Sequence, residues 1–302
     1  MNSSVRPKVG DDLVMSVAHR LTERDRSIVT MLFRHRVLTT DQLAEMYFDH
    51  VNTAQHRLTT LYRLRLVDRF QPIDHRYASQ PYHYVLDQLG AMLAAAERGE
   101  DIDKTRWRQD KALAIGRSQR LAHLVGTNGF FSALVAESRR RNDRSLSLWW
   151  SEAYCARQLH TIVRPDGLGV WKEGGGRLLF CLEYDRSTES LDRLAAKLKG
   201  YVDLQVASGW AFWVLFCFGH RRREAGARRA LAGATVPVAT AALGLTHRPH
   251  DAIWSPIGYD GPPLSLGQLT GVPLPDESYE RLEQARECQQ RYTERPQQTQ
   301  AE

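Results

Sequence analysis

Three acidic residues near the middle of the chain have the types and spacing needed to bind a divalent metal ion. Asp166 follows one short apolar run, while Glu183 and Asp185 close a second run. Carboxylate oxygens suit Mg²⁺ and Mn²⁺, which keep water ligands for a substrate phosphate. We therefore expect Asp166 and Glu183 to bind Mg²⁺ or Mn²⁺, with Asp185 as a third oxygen donor on the same strand face.

The segments around these residues predict a β-hairpin followed by a helix. The hairpin strands are expected at 161–164 and 178–183, joined through the glycine turn at 174–176. Segment 189–204 has apolar residues at helical spacing and carries Lys197 on its polar side. If the two hairpin strands are neighbours, Asp166 and Glu183 would come together at one edge of the sheet.

Two nested patterns in this region resemble known families. Pro165-Asp166, Glu183-Tyr184-Asp185 and Lys197 resemble the active-site signature of the PD-(D/E)xK nuclease superfamily. The longer pattern at 183–189, followed by 197–201 and preceded by a winged-helix-like half, resembles the replication-relaxation family of plasmids and integrative mobile elements. This resemblance implies a DNA-binding protein of mobile-element replication or transfer, related to relaxases that use a nuclease-like core.

The resemblance also gives Lys197 a catalytic role. Members of the nuclease superfamily carry a lysine two residues after the second acidic residue, where this chain has Asp185. In some members the following helix supplies the lysine, and Lys197 is then the residue that stabilises charge on the phosphate. By spacing alone, Glu189, Arg193 and Lys197 are equally typical of an exposed ladder of charges on a helix.

Other chemistries have weaker support in the sequence. The chain has no G-x-x-x-x-G-K-[ST] loop, which disfavours an ATPase, and no His-x-His pair of the kind that holds metal in other relaxases. Tyr184 and Tyr201 lie near the predicted site, so a covalent tyrosine mechanism stays open. A second hypothesis is a core without activity, in a replication accessory factor or a winged-helix transcriptional regulator.

The N-terminal half predicts a winged helix-turn-helix. Helix starts are indicated at Thr22, at Thr39 and near Asn52, and the segments 64–70 and 82–86 have the character of two strands. Three short helices followed by a two-stranded ribbon is the order in which the third helix enters the major groove of DNA. We therefore expect this half to bind double-stranded DNA.

The predicted DNA contacts are polar positions on the third helix and in the ribbon. These positions are Gln55, His56, Thr59, Arg63 and Arg76. Residues 50–83 contain five arginines and two aspartates, so the local charge is basic. The alternatives are an ordinary solvated polar face and a protein-interaction module.

Length and periodicity predict two domains in a mixed α+β or α/β chain. After 146 the order is three strands, a helix and a fourth strand at 211–218 that joins by a crossover, following the helices of 111–141. Helix 88–98 closes the first domain, mediates a homodimer or serves as a spacer. The expected segments are a flexible arm at 1–19, the winged helix-turn-helix at 20–98, a linker at 99–110, the nuclease-like domain at 111–275 and a polar tail at 276–302.

Composition limits the surroundings and partners of the protein. The net charge of +6 and pI near 9.2 favour contact with a polyanion. The four cysteines lack metal-ligand or disulfide spacing, which predicts a reducing, cytoplasmic compartment. No apolar run has the roughly 18 residues that a membrane span requires. We expect DNA with an origin-like site as one partner, and other replication or transfer proteins of a mobile element as further partners.

Overall fold

The computed structural model describes residues 17, 20–72, 80–100, 102, 107–159, 162–244 and 247–272. The chain divides into two compact units between Arg139 and Arg140. Both units combine helices with a sheet, so the predicted α+β class is confirmed. None of the helices in the described part of the chain has the length and apolar character that a membrane crossing requires. Arg76, the tail 276–302 and all of the arm 1–19 except Val17 lie outside the described residues.

Between residues 20 and 72, the first unit has three helices, two of which start at capping boxes. Helix α1 (Glu23–His35) follows Thr22, and α2 (Thr40–Tyr47) follows Thr39. In each box the threonine hydroxyl accepts a hydrogen bond from the N3 amide, and the N3 side chain accepts one from the threonine amide. Helix α3 (Val51–Arg63) follows directly. The helix starts predicted from these residues are confirmed.

A small antiparallel sheet completes this arrangement of helices. Its strands β1 (Leu38–Thr39), β2 (Val67–Phe70) and β3 (His83–Leu86) lie in the order β1-β3-β2. The predicted pairing of the two later strands is confirmed, whereas the short β1 was not expected. Helix α4 (Gln88–Ala96) follows β3.

The first unit also includes two further helices, α5 (Gln109–Ala114) and α6 (Leu121–Arg140). The sequence pattern predicts residues 111–139 in the second domain, whereas they lie in the first unit. The contacts of α6 explain why it belongs here. The Asn128 amide donates hydrogen bonds to the carbonyls of His35 and Val37, at 3.1 and 2.7 Å.

The second unit contains a six-stranded mixed sheet in the order β4-β5-β6-β7-β8-β9. The strands are β4 (Arg144–Ser151), β5 (Gly167–Glu173), β6 (Gly176–Asp185), β7 (Trp213–Phe218), β8 (Val238–Ala242) and β9 (Ser255–Pro256). Strands β4, β5 and β6 are antiparallel neighbours, and β6, β7 and β8 are parallel neighbours. The predicted crossover into the strand at 211–218 is therefore confirmed.

Within the described part of the second unit, three α-helices accompany this sheet, namely α7 (Glu152–Gln158), α8 (Leu191–Ser208) and α9 (Arg221–Ala230). Helix α8 crosses over from β6 to β7, and α9 crosses over from β7 to β8. A Cβ atom added at Gly226 of α9 would lie 3.3 Å from Leu191 of α8, so the two helices are neighbours on one face of the sheet. On that face, Leu194 and Leu204 of α8 belong to the same buried cluster as Phe216 of β7.

One buried ion pair stabilises the helices of the first unit. Asp25 of α1 is 0% exposed, and the Nε of Arg57 on α3 donates to its Oδ1 at 2.8 Å. Burial raises the pKa of Asp25, but the hydrogen bonds from Arg57 and Thr22 outweigh burial and hold this pKa below its ordinary value. The stabilisation is therefore present at neutral pH and is lost as the pH falls below the ordinary aspartate range.

Replacing Arg57 tests this pair. The change Arg57→Gln leaves the buried Asp25 carboxylate without its cation and is expected to lower the free energy of unfolding by about 2–3 kcal/mol. Arg63→Gln removes an exposed arginine from the same helix and should leave stability nearly unchanged. Urea denaturation followed by circular dichroism measures both variants. Equal losses of unfolding free energy in the two variants would contradict the stabilising role of the Arg57–Asp25 pair.

Candidate functional site

Glu183 is the centre of a polar cluster buried between β6 and α8. Its side chain is only 4% exposed and lies on the sheet face that α8 covers. The Lys197 Nζ donates to Glu183 Oε2 at 2.8 Å, and the Tyr201 hydroxyl donates to Oε1. Lys197 and Tyr201 are four residues apart on one face of α8, so a single helix supplies both donors.

Asp166 joins this cluster from the start of β5. Its amide donates to the Leu182 carbonyl at 3.0 Å, and its Oδ2 accepts from the Tyr184 amide at 2.8 Å. Because β5 and β6 are antiparallel, the start of β5 lies beside the end of β6. Asp166 and Glu183 therefore approach the same edge of the sheet.

The first strand of the predicted hairpin was placed wrongly. The prediction put it at 161–164, with Asp166 just beyond its end, whereas the described residues 162–165 are not in a strand and β5 begins at Gly167. Glycines at 167 and 169 interrupt the side-chain alternation of β5, so the sequence pattern did not reveal this strand. The predicted turn at 174–176 is confirmed between β5 and β6.

The segment before Asp166 is held in place from two sides. Arg164 forms an ion pair with Glu152 of α7, at 3.0 Å between Nε and Oε1. A Cβ atom added at Gly200 of α8 would lie 3.2 Å from the Ile162 carbonyl oxygen and from the Val163 side chain. The glycine lets the helix backbone approach this segment closely, which fixes Asp166 near α8.

Burial and neighbouring charges shift the pKa values in the cluster. Burial and then the charge of Asp166 raise the pKa of Glu183 to about 7, although Lys197 and Tyr201 oppose this shift. Burial lowers the pKa of Lys197, but Glu183 and Glu189 outweigh burial and raise it, so the ammonium stays charged. Burial and Glu183 raise the pKa of Tyr201, so its phenol stays a neutral donor.

The donor set fits one divalent cation held mainly by water. Among the described residues, no group of three or more His, Cys, Asp or Glu side chains could hold a metal ion. Asp166 and Glu183 nevertheless supply two carboxylates, and Mg²⁺ is commonly bound through one or two carboxylates with several waters. A cation at Glu183 Oε2 would replace the hydrogen bond from Lys197.

Asp185 lies on the same strand face as Glu183, as expected, but an arginine binds it. The Nη2 of Arg223 on α9 donates to Asp185 Oδ2 at 2.7 Å, and the Ser187 amide also donates to Asp185. Arg223 donates in addition to the Glu189 carbonyl, and the Glu189 carboxylate lies 2.9 Å from Lys197 Nζ. A continuous polar network therefore connects Asp185 with the Glu183 cluster.

Sequence reasoning missed two of these contacts. The four-residue spacing from Lys197 to Tyr201 was a usable signal for the second donor to Glu183. The partner of Asp185 was harder to find, because Arg223 reaches it only through the parallel pairing of β6 with β7. The two tyrosines considered for a covalent mechanism lie in different places. The Tyr184 side chain alternates to the sheet face opposite Glu183, and the Tyr201 side chain is fully buried.

Four of the five predicted DNA-contacting residues lie on α3. Gln55, His56 and Arg63 are exposed and Thr59 is half-buried, while Arg76 lies outside the described residues. Several arginines of this region have structural partners. Arg57 binds Asp25, Arg65 Nε lies 2.6 Å from Asp87 Oδ2, and the Arg69 guanidinium stacks on the rings of Tyr62 and Tyr82. The count of basic residues therefore overstated the charge available to DNA.

Comparison with known proteins gives one match. A family model described as replication-relaxation matches residues 29–211, which is more than half of the chain. The matched span contains Asp166, Glu183, Lys197 and Tyr201, as well as the three initial helices from within α1 onward. Neither the curated proteins nor the solved structures contain a match.

Removing Lys197 tests the electrostatic balance of the cluster. The change Lys197→Met leaves the buried Glu183 without its cation and is expected to lower the free energy of unfolding at pH 8 by about 2–3 kcal/mol. This value is below the full cost of breaking a buried pair, because the Lys197 side chain is 35% exposed. The control Lys199→Met removes an 83% exposed lysine of the same helix and should change stability little.

The pH dependence separates this effect from lost packing. A carboxyl group with a raised native pKa favours folding while it is protonated, and that contribution is lost as the pH rises from about 4.5 towards the native pKa near 7. Without Lys197 the native pKa of Glu183 rises further. The stability difference between Lys197→Met and wild type should therefore be larger at pH 8 than at pH 5, and equal differences at both pH values would refute the electrostatic explanation.

Proposed function

The chain belongs to the replication-relaxation family, and we propose on that premise that it binds an origin of a mobile element and nicks the DNA there with Mg²⁺ or Mn²⁺. Family membership indicates a role in mobile-element replication or transfer. The observation that carries the nicking proposal is the approach of Asp166, Glu183 and Lys197 to one edge of the sheet.

In this proposal each residue of the cluster has a separate task. Asp166 and Glu183 would hold the divalent cation, whose chemistry is to activate water and polarise the phosphate. Lys197 leaves Glu183 and stabilises the negative charge that develops on the phosphate. Tyr201 keeps Glu183 Oε1 in place through its hydroxyl hydrogen bond.

The order of elements in the second unit supports a PD-(D/E)xK assignment. In that fold, antiparallel strands carrying the acidic residues are followed by a helix and a parallel strand. The order here is β4-α7-β5-β6-α8-β7, with the short helix α7 inserted after β4. The position after Glu183 where the signature has lysine is Asp185, and Arg223 neutralises it. The lysine would come from α8 instead.

The first unit supplies the DNA-binding part of the proposal. The order α1-β1-α2-α3-β2-β3, with β3 central in the sheet, is the order expected of a winged helix. In such a domain α3 would enter the major groove with Gln55, His56 and Arg63 exposed on its surface. We also propose that the protein forms a homodimer, binds an origin-like DNA site and acts with other proteins of the mobile element.

A non-catalytic accessory factor or regulator is the second candidate function. It is favoured by the full use of the carboxylates, since both oxygens of Glu183 and both oxygens of Asp185 accept hydrogen bonds from protein groups. In that case the network would hold α8 and α9 on the sheet, and the protein would bind DNA without cutting it.

Nicking of a supercoiled plasmid that carries the element's own origin region distinguishes the two candidates. Wild type is expected to convert the plasmid to open circles with Mg²⁺ or Mn²⁺ and not with EDTA. Asp166→Asn and Glu183→Gln should lower the rate at least about 100-fold, because each removes a charged ligand. The control Asp203→Asn removes a half-exposed carboxylate of α8 and should nick at the wild-type rate.

Gel-shift binding in EDTA and thermal unfolding accompany the nicking assay. Loss of nicking in the two site variants, with folding and DNA binding retained, supports the nickase. DNA binding by wild type without strand cleavage in either metal would establish the accessory factor. Cleavage at the wild-type rate by Asp166→Asn and Glu183→Gln would place the active site elsewhere.

A further inference from the structure

Three arginines are exposed together where β6 and β7 end. Arg186 directly follows β6, and Arg221 and Arg222 begin α9 shortly after β7. The two strands are parallel, and Asp185 pairs with Phe218 in register, so the chain leaves both strands side by side. We use the name arginine edge for Arg186, Arg221 and Arg222.

Two contacts join the segments that carry the arginine edge. Arg223, next to Arg222, donates from its guanidinium to the Asp185 carboxylate and to the Glu189 carbonyl. The Ser187 hydroxyl lies 3.4 Å from Nε2 of His220, the N-cap residue of α9. The loop after β6 and the start of α9 therefore form one surface.

The positive charge of this surface is not neutralised by its neighbours. Asp185 is bound by Arg223, the Glu189 carboxylate by Lys197, and the Glu224 carboxylate accepts from the Thr240 hydroxyl. In the described ranges, the side chains of the arginine edge make no hydrogen bond or ion pair. The start of α8, where Leu191 lies near Gly226 of α9, carries two exposed residues of opposite charge, Asp192 and Arg193.

Two other arginines of α9, Arg223 and Arg228, show what a structural role looks like in this helix. Arg228 donates from Nη1 to the Thr240 hydroxyl at 3.0 Å and from Nη2 to the Pro256 carbonyl at 3.2 Å, which ties α9 to the edge of the sheet. Arg223 is bound to Asp185. Arg221 and Arg222 have no comparable contact, so packing does not explain them.

We propose that the arginine edge binds the phosphate backbone of DNA and holds a strand beside the Glu183 cluster. The proposal takes DNA as the partner from the proposed function, but it does not require cleavage. A strand that approaches Asp166 and Glu183 is repelled by both carboxylates, so positive charge is needed beside them. Guanidinium groups match phosphate oxygens with paired hydrogen bonds, and the start of α9 adds the positive end of its dipole.

The polar network places the arginine edge near the proposed site of chemistry. Lys197 contacts both Glu183 and Glu189, and the Glu189 carbonyl accepts from Arg223 at the start of α9. A backbone held by the arginines would thus present a neighbouring phosphate to Lys197. The second unit would bind DNA itself and would not depend wholly on α3 of the first unit for that contact.

Two matched triple variants of the full chain test this surface. Arg186→Gln/Arg221→Gln/Arg222→Gln removes the arginine edge. The control Lys172→Gln/Arg177→Gln/Arg229→Gln also removes three exposed positive charges, from the turn of the hairpin and the last turn of α9. Arg177 and Arg186 lie near opposite ends of β6, about 30 Å apart at 3.3 Å per residue. The probe is a fluorescent 30-base-pair DNA duplex of random sequence, with binding measured by anisotropy in EDTA.

The dependence of affinity on salt gives the main result. Each lost phosphate contact lowers the slope of log affinity against log salt by about 0.9, so the edge variant should lose between about two and three units of slope. Its affinity in moderate salt should fall at least about tenfold, while the control variant changes the slope by less than about one unit. Thermal unfolding should be alike in the two variants.

The possible outcomes separate this inference from the proposed nicking. Equal losses in the two triple variants would show a general charge effect and overturn the arginine edge, as would unchanged binding by the edge variant. If Glu183→Gln binds the duplex like wild type and the edge variant does not, the inference holds whether or not the plasmid is nicked. If wild type does not bind DNA, both this inference and the proposed function fail.

Discussion

The architecture of the second unit depends on one buried carboxylate. Moving Glu183 out of water costs free energy that the cluster offsets only while Lys197 and Tyr201 donate to its two oxygens. Because both donors lie on α8, the helix must cross β6 at a fixed position along the strand. The helix face that carries Lys197 and Tyr201 must point towards the sheet. The nearby charge of Asp166 works against the ionised form of Glu183. The cluster therefore combines a precise geometry with an excess of negative charge, which a bound cation would relieve.

Lys197 differs from the arginines that pair with buried carboxylates, namely Arg57 and Arg65 in the first unit and Arg223 in the second. In the first unit, Asp25 and Asp87 are fully buried and each is matched by an arginine, so these pairs stabilise the fold. In the second unit, Lys197 is shared between Glu183 and Glu189 and stays partly exposed to solvent. A cation with two alternative carboxylates can leave one of them without becoming unpaired. In the proposed function, this sharing would allow Lys197 to leave Glu183 when a metal cation binds there.

Local patterns predicted much of the fold, and long-range contacts account for what they missed. Threonine caps and helical periodicity located the first helices, and short apolar runs located β6 and β7. Strand β5 escaped because its glycines, at 167 and 169, remove the side-chain pattern that marks a strand. The pairing of Asp185 with Arg223 depends on two strands becoming parallel neighbours, which short-range spacing does not encode. For the same reason, the number of arginines overstated the positive charge available to DNA, since Arg57 and Arg65 have carboxylate partners distant in sequence.

We propose that Asp166 and Glu183 together bind one divalent cation. Titration with Mn²⁺, followed by the loss of the free Mn²⁺ signal in electron paramagnetic resonance, tests this binding without any need for DNA or for catalysis. One saturable Mn²⁺ site per chain is expected, which is lost in Asp166→Asn and in Glu183→Gln and kept in Asp203→Asn. Absence of saturable binding by the folded wild type, or a site that survives both substitutions, would contradict it.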